Sequence, residues 1–232
     1  MALEIVKPSK IKKPLTIKQH IVLSFISLLI GITVLVIAYI GMNQNSGIGQ
    51  YNQSTLNWMI SHRESNITDI VKIITASASL PYLSGLVIII VFIWLIFKRE
   101  IWKPILLTSA MITATTLSMI VKNFTTHMRP LKINMIPPFE IGYSFPSGHT
   151  ISMTTFLLVF GYLIYSRNFT FIRFIFWIIL TIISTGIVGL SRLYLGYHWL
   201  TDVVASIGFS FILLSIIILI DMMVIRKFKK LN

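Results

Sequence analysis

The chain contains no cysteine and few charged residues. Without cysteine it can form neither a disulfide framework nor a thiolate metal site. Charged residues make up 12% of its 232 positions, about half the fraction found in ordinary soluble domains. Hydrophobic residues make up 55%. This balance argues against a soluble globular protein.

Long apolar runs dominate the sequence. Several are about 20 residues long, which is the length needed to cross a hydrocarbon core, and they lack the polar stripe of a soluble amphipathic helix. The sequence therefore predicts an all-α, polytopic integral membrane protein built as a six-transmembrane-helix bundle. We place the spans at about 20–42, 82–97, 104–121, 149–165, 171–190 and 201–224, and we expect the second to begin near Leu80.

The first span is predicted to remain uncleaved. Its apolar run is longer than that of a signal peptide, and no A-x-A site follows it. Between the first two spans, a polar stretch leads into ITDIVKIITASAS, residues 67–79. This segment is predicted to form an extracytoplasmic or re-entrant helix, and we expect Pro81 to mark its end because proline interrupts helices.

Acidic residues are scarce, so the formal net charge is +13. Nucleic-acid binding does not explain this charge, because the basic residues cluster in alternate loops. Fourteen of the 20 Lys and Arg residues lie on one side of the predicted spans and six on the other. By the positive-inside rule, both termini are cytoplasmic, and loops 43–80, 122–148 and 191–200 face outward.

This distribution also predicts the domain organisation. We expect a basic cytoplasmic segment at 1–19, a membrane domain at 20–225 and a basic cytoplasmic tail at 226–232. The predicted location is the cell membrane, with the bilayer as partner and no nucleic acid. The sequence does not predict an oligomeric state.

Three short motifs lie at the predicted outward ends of the spans. They are KNFTTHMRP at 122–130, PSGH at 146–149 and SRLYLGYHWLTD at 191–202. Because the topology brings all three to one membrane face, we expect them to form a single extracytoplasmic site.

The first group of residues in these motifs suits a tetrahedral oxyanion such as phosphate. Arg129 and Arg192 can each bind two phosphate oxygens at once, and Lys122 adds a point charge. Ser147 fits a helix N-cap, and Gly148 lets the backbone approach a ligand closely. A helix that begins there presents free N–H groups, which bind anions.

The second group suits acid–base and nucleophilic chemistry. His198 and Asp202 are four residues apart, so on a helix they share a face, with Cβ atoms about 5–6 Å apart. The carboxylate can fix the imidazole tautomer and leave the other ring nitrogen free to attack phosphorus. His149 is a second imidazole, suited to general acid–base catalysis.

The ordered motifs KxxxxxxRP, PSGH and SRxxxxxHxxxD resemble the signature of the type-2 phosphatidic acid phosphatase (lipid phosphate phosphatase) superfamily. Among its bacterial members, the chain resembles phosphatidylglycerophosphatase B and undecaprenyl-diphosphate phosphatases. The resemblance implies a six-span fold with a signature core at 122–202, and chemistry that needs no metal or other cofactor. It also implies that His198 is a nucleophile that forms a phosphohistidine, that Asp202 orients it and that His149 protonates the leaving oxygen. The implied phosphate ligands are Lys122, Arg129, Ser147, Gly148 and Arg192.

The predicted function is hydrolysis of a phosphate monoester or diphosphate on a membrane lipid. Phosphatidylglycerol phosphate, undecaprenyl diphosphate and phosphatidate all fit the motifs. One alternative is a lipid phosphotransferase that uses the same residues. The other is a lipid or anion transporter, for which broken helices and polar groups near the membrane midplane would be expected. The polar motifs here lie at one face, which favours an enzyme.

Some residues outside the three motifs also have predicted roles. Segment 131–145 is either a packed loop or an apolar lip, with Tyr143 and Phe145, that admits a lipid tail. Arg63 is interpreted as an interfacial anchor, and Asp221 as a partner of a basic residue in the tail. For the outward-facing Glu140, gating and head-group selection are the two options.

Overall fold

A computed structural model of the protein describes residues 14–167 and 169–231, with side chains through residue 226. Within these residues the chain is helical and forms eight α-helices: α1 (Ile17–Gln44), α2 (Asn52–Ser61), α3 (Ser65–Ser77), α4 (Leu80–Ile93), α5 (Trp102–Thr125), α6 (Gly148–Tyr165), α7 (Phe171–Tyr194) and α8 (Leu200–Leu231). Most of the predicted basic segment 1–19 and most side chains of the predicted tail 226–232 lie outside the described residues.

Six of the described helices, α1 and α4 to α8, are long and apolar enough to cross a membrane. A π-helical turn, Trp94–Lys98, extends α4, and α4 begins at Leu80 as expected. Large apolar side chains remain exposed on the outer helices, including Phe25 on α1 and Phe176 on α7. Such surfaces suit contact with lipid, and the predicted six-span helical bundle is confirmed.

The central helices are α6 and α8. Helix α6 packs against α5, α7 and α8, and the core between them contains the fully buried Leu107, Leu163 and Ile218. Helix α1 lies along α8, where Gly31 and Gly208 face each other so closely that a Cβ on Gly31 would be 2.8 Å from the Gly208 carbonyl oxygen. Small residues at such a crossing let two membrane helices approach backbone to backbone.

The segment between the first two spans contains more structure than its sequence pattern predicted. Helix α3 confirms the helix predicted at 67–79, whereas α2 was not predicted. Pro81 does not end α3. It lies in the first turn of α4, where the missing N–H costs nothing because a first-turn N–H has no acceptor within the helix.

A buried polar cluster closes the end of the bundle opposite the three motifs. Asp221 on α8 accepts hydrogen bonds from Tyr162 Oη at 2.7 Å, Trp102 Nε1 at 2.8 Å and Arg167 Nη2 at 3.0 Å. Tyr162 also contacts His20. Arg167, which lies in the connection between α6 and α7, is thus an ionic partner of Asp221. The side chains of Lys227, Lys229 and Lys230 lie outside the described residues, so pairing with the tail stays a prediction.

Helix ends bring the three motifs together at the other end of the bundle. Lys122 lies in the last turn of α5, α6 begins after Ser147, and Arg192 lies in the last turn of α7. His198 lies in the short connection between α7 and α8.

Candidate active site

His198 and Asp202 are paired, as their spacing indicated. Asp202 lies in the first turn of α8, where its Oδ2 accepts the backbone N–H of Trp199 at 2.9 Å and lies 3.2 Å from His198 Nδ1. Both side chains are almost fully buried. The carboxylate therefore holds the imidazole in one orientation.

The contacts of His198 define its tautomer. Nδ1 faces Asp202 Oδ2, an acceptor, whereas Nε2 lies 3.2 Å from Arg129 Nη1, which can only donate. Both contacts favour the tautomer in which Nε2 carries no proton. The ring proton is therefore on Nδ1, facing Asp202. Burial lowers the pKa of His198 well below its ordinary value, and Arg129 and Lys122 lower it further. The ring is neutral at pH 7, with the Nε2 lone pair on the side of Arg129.

Two arginines lie beside this nitrogen. Arg192 is 1% exposed. Its Nη1 donates to Thr75 Oγ1 at 2.7 Å, and its guanidinium carbon lies 4.5 Å from the centre of the Tyr197 ring. Arg129 Nη1 donates to the Tyr197 carbonyl oxygen at 2.7 Å, and its Nε donates to the Gly142 carbonyl oxygen at 3.1 Å. These contacts fix both guanidinium groups before any ligand binds.

Lys122 is held by the backbone that precedes PSGH. Its Nζ donates to the carbonyl oxygens of Tyr143 at 2.9 Å and Ser144 at 3.1 Å. The N–H and the hydroxyl of Ser144 both bond to the carbonyl oxygen of His127. The segment between the first two motifs is thus fastened to the end of α5.

A carboxylate occupies the space between the arginines. Glu140 Oε2 lies 2.9 Å from Arg129 Nη1, and Oε1 pairs with Arg192 Nη2. Oε2 also lies 3.9 Å from His198 Nε2. Burial raises the pKa of Glu140, but Arg192 and Arg129 outweigh it and hold the pKa below its usual range. Glu140 is thus an ionised anion bound where the motifs predicted an oxyanion.

The PSGH motif opens α6 as predicted, with Ser147 at the N-cap position. Its hydroxyl bonds to Thr150 Oγ1 at 2.9 Å and does not cap the helix backbone. Its N–H donates to the Asp202 carbonyl oxygen at 3.3 Å, which ties α6 to α8. Its part in phosphate binding stays a prediction, as does that of Gly148.

His149 and Gly148 line a cavity of about 150 Å³ together with Lys122. Leu80, Thr115 and Ser152 are shared between this cavity and a larger groove of about 470 Å³. The larger groove is lined mainly by apolar side chains of α4 and α5, including Leu83, Val87, Ile88, Met111 and Ile112. Ile88 and Ile112 are exposed on the outer surface. An apolar path therefore leads from the lipid-facing surface to His149.

Two further residues support the site, and sequence analysis missed both. Thr75 on α3 accepts a hydrogen bond from Arg192. Arg63, interpreted above as an interfacial anchor, donates to the Tyr194 carbonyl oxygen at 3.0 Å and to the Asn134 carbonyl oxygen at 2.8 Å. Arg63 therefore links the end of α7 to segment 131–145. No local pattern signals these contacts, because the partners are far apart in sequence.

The structure does not support Phe145 as part of an apolar lip. Phe145 is 1% exposed and packs with Ala38 of α1 and Ala205 of α8. The most exposed apolar residues of segment 131–145 are Ile133 and Ile141. Phe145 directly follows Ser144, whose hydrogen bonds with the His127 carbonyl oxygen hold the backbone in place. From this point the chain enters the core.

The PAP2 superfamily profile matches residues 103–225, which is more than half of the chain and includes all three motifs. The chain belongs to the PAP2 superfamily.

Two curated relatives of this PAP2 protein act on different lipids, according to their names. Phosphatidylglycerophosphatase B of Bacillus subtilis is 27% identical over 133 residues, which are 56% of this chain and 64% of that protein. Undecaprenyl-diphosphatase of Sulfolobus acidocaldarius is 32% identical over 116 residues, which are 48% of this chain and 52% of that protein. Each alignment spans less than two thirds of the relative's own length.

Two crystal structures share the PAP2 fold of this chain. The transmembrane PAP2-type phosphatidylglycerolphosphate phosphatase of B. subtilis has a TM-score of 0.70 and 21% identity, with 87% of this chain and 95% of that chain covered. LpxE of Aquifex aeolicus has a TM-score of 0.56 and 22% identity, with 72% and 94% covered. These structures agree with the predicted all-helical membrane fold.

Proposed function

We propose that the protein is a membrane lipid phosphatase that hydrolyses a phosphate monoester or diphosphate of a lipid through a phosphohistidine. One observation carries the proposal. An anionic group, the Glu140 carboxylate, is held between Arg129 and Arg192 with an oxygen 3.9 Å from the unprotonated Nε2 of His198. A phosphoryl group bound by the same arginines would bring its phosphorus near the distance of about 3–3.5 Å from which attack proceeds.

The reaction follows from these positions. His198 Nε2 attacks phosphorus, and the bond between phosphorus and the lipid oxygen breaks. His149 gives its proton to the leaving oxygen. Water then cleaves the phosphorus–nitrogen bond, transfers a proton to His149 and releases inorganic phosphate. Asp202 stabilises the positive charge on the His198 ring during both steps.

The cations act mainly on the phosphoryl group in transfer. Lys122, Arg129 and Arg192 stabilise the charge on its oxygens, which is the largest contribution a protein makes to such reactions. Because the contacts described above hold the arginines in place, little reorganisation is needed when the substrate binds.

The apolar path from the outer surface supports a lipid as substrate. A tail in the groove between α4 and α5 would place the phosphate beside Lys122 and His149. Phosphatidylglycerol phosphate, undecaprenyl diphosphate and phosphatidate each combine a long apolar tail with a terminal phosphate. The names of the relatives favour the first two, and the distribution of Lys and Arg predicts that the site faces outward.

Transport receives less support from the structure than hydrolysis does. A transporter would need polar groups and broken helices near the midplane. In the described part of the chain, each charged side chain of a span lies near one end of that span. Transfer of the phosphoryl group to an alcohol would use the same residues, so product analysis must separate it from hydrolysis.

The test is phosphate release by the purified protein in detergent with EDTA, from the three lipids in parallel. We expect His198→Ala to reduce release by roughly 10³-fold or more, as loss of a nucleophile does. The matched control is His62→Ala, since His62 is exposed at the end of α2 and its loss should leave the rate unchanged. Release that needs a metal, or that persists in His198→Ala, would contradict the mechanism. Phosphate captured by an added alcohol would identify a transferase.

A further inference from the structure

Helix α3 exposes an apolar stripe that no other part of the described protein covers. Ile67, Ile70 and Ile73 are 41%, 58% and 72% exposed, and their spacing of three residues places them on one side of the helix. Asp69 and Lys72 form an exposed ion pair, and Asp69 lies beside Ile73 because the two are four residues apart. All 13 residues of α3 are described and none is buried. Three adjacent isoleucines on an outer surface indicate an apolar partner.

The contacts of α3 with α7 show where it lies. Thr68 Oγ1 lies 2.9 Å from Tyr194 Oη, and Thr75 Oγ1 accepts from Arg192 Nη1 at 2.7 Å. These two contacts hold α3 against the last turn of α7. Because α7 is long and apolar enough to span the membrane, α3 lies at the level where that span ends.

The exposed stripe also leads towards a lipid-facing surface. Only two residues separate α3 from α4, which is a membrane span. The first turn of α4 exposes Leu80 and Tyr82, at 58% and 66%. A helix at the end of one span and next to another, with three exposed isoleucines on one side, has the features of an interfacial helix.

We propose that α3 is an interfacial helix whose partner is the outer lipid surface. Ile67, Ile70 and Ile73 insert into the boundary between head groups and acyl chains, and the opposite part of the helix holds Arg192 through Thr75. The bilayer itself thus presses Thr75 against a residue of the candidate phosphate site. This surface does not depend on the catalytic activity proposed above.

Spin labels attached to single cysteines would measure the depth of α3 directly. The chain contains no cysteine, so no native residue has to be removed. Labels at Ile67→Cys and Ile70→Cys are compared with labels at Asp69→Cys and Lys72→Cys. The full-length protein is reconstituted in vesicles of phosphatidylethanolamine and phosphatidylglycerol, and the collision of each label with oxygen and with a water-soluble nickel chelate is recorded.

We expect the ratio of oxygen to nickel collisions to be several-fold higher at the two isoleucine positions than at their charged neighbours. Equal access of nickel to all four labels would show that α3 lies in water and would overturn the proposal. Exclusion of both reagents from the isoleucine positions would show that a protein surface, such as a second copy, covers them, and would also overturn it. Because two pairs of positions are compared, misfolding of a single variant cannot decide the result.

Discussion

Glu140 and a substrate phosphate would require the same two guanidinium groups, so the carboxylate is an internal competitor. Glu140→Gln removes the negative charge and leaves Arg129 and Arg192 without their ionic partner. We expect inorganic phosphate, as a competitive inhibitor, to bind about tenfold more tightly, because one charge-assisted hydrogen bond contributes about 1.5–3 kcal/mol. The inhibition constant for phosphate measures this effect, and the KM for the lipid should fall in parallel.

Glu100→Gln is the control for this prediction. Glu100 forms a comparable ion pair with Lys103 at 3.0 Å, but in the connection between α4 and α5, at the opposite end of the bundle. Its loss should leave phosphate inhibition unchanged. Weaker binding of phosphate to Glu140→Gln than to the wild type would show that Glu140 assists anion binding and does not compete with it.

The pH dependence of activity reports the charge around His198. Burial, Arg129 and Lys122 lower the pKa of His198, so the ring loses its proton, and gains nucleophilicity, at a pH below the ordinary histidine value. We expect the acid limb of kcat/KM, corrected for ionisation of the substrate phosphate, to lie below pH 6.5. Arg129→Gln removes a cation, raises the pKa and moves the limb to higher pH.

Arg129→Lys separates charge from geometry in that experiment. Lysine keeps the positive charge but loses the paired donors, so kcat/KM should fall while the acid limb stays near its wild-type position. An acid limb that is the same in wild type, Arg129→Gln and Arg129→Lys would show that Arg129 does not control the ionisation of His198.

The residue-scale features that were predictable from sequence are the local ones. The pairing of His198 with Asp202 follows from a spacing of four residues at a helix start. The pairing of Glu140 with Arg192 joins residues 52 positions apart, and it depends on how segment 131–145 folds over the site. Burial of Phe145 has the same origin, since its place in the core is set by Ala38 and Ala205 on two distant helices.

At the scale of the helices, the crossing of α1 and α8 depends on glycine. A Cβ on Gly208 would lie 2.8 Å from the backbone nitrogen of Leu35 and 2.9 Å from the carbonyl oxygen of Gly31. Backbone atoms cannot move aside as a flexible side chain can, so Gly208→Ala forces the helices apart. We expect a loss of about 1–3 kcal/mol, as for other overpacked cores, seen as a lower unfolding temperature in detergent.

Gly186→Ala is the matched control for the crossing. Gly186 also lies within a membrane helix, α7, but a Cβ there would meet no atom within 4 Å. Alanine favours the helix over glycine, so this variant should be as stable as the wild type or slightly more stable. Equal losses at both positions would show that glycine is needed for reasons other than the approach of α1 to α8.

The Asp221 cluster is expected to support stability without taking part in catalysis. Asp221→Ala leaves Arg167 without its counter-ion and removes the acceptor of Tyr162 and Trp102. Breaking a buried ion pair from one side costs about 3–5 kcal/mol. Asp221 is 19 residues from Asp202 along α8, which is about 28 Å, so the kcat of the folded fraction should be unchanged.

Thermal unfolding and active-site titration together check this prediction. The control is Asp69→Ala, whose ion pair with Lys72 is exposed and should contribute less than about 1 kcal/mol. A marked fall in kcat for folded Asp221→Ala would show that the two ends of the bundle are coupled.

Long apolar runs made the six spans predictable, because their length must match the bilayer. Helix α2 was not predicted because its sequence, NQSTLNWMIS, contains no apolar run and no clear helical spacing of apolar residues. It is held in place partly by Asn52, whose side chain forms two hydrogen bonds with Thr201 of α8. A contact of this kind depends on tertiary structure and leaves no local signal.

For the molecule as a whole, polar groups at both ends of the bundle are separated by an apolar and hydroxyl-rich interior. Thr154 with Thr185 and Thr155 with Ser210 form hydrogen bonds between helices in that interior. Within each pair, the hydrogen bond satisfies buried hydroxyl groups without introducing a charge. The candidate site and the Asp221 cluster thus face opposite sides of the membrane, and the function depends on which side is outside.

The orientation of the protein is the remaining prediction at this scale. The excess of Lys and Arg predicts that Lys132 is outside and Arg173 inside. Both residues are exposed, and the chain has no cysteine, so Lys132→Cys and Arg173→Cys form a matched pair. In intact cells, a membrane-impermeant maleimide should label the first and not the second, whereas both should react after the cells are opened. Labelling of Arg173→Cys alone in intact cells would place the candidate site in the cytoplasm, where only lipids of the inner leaflet could reach it.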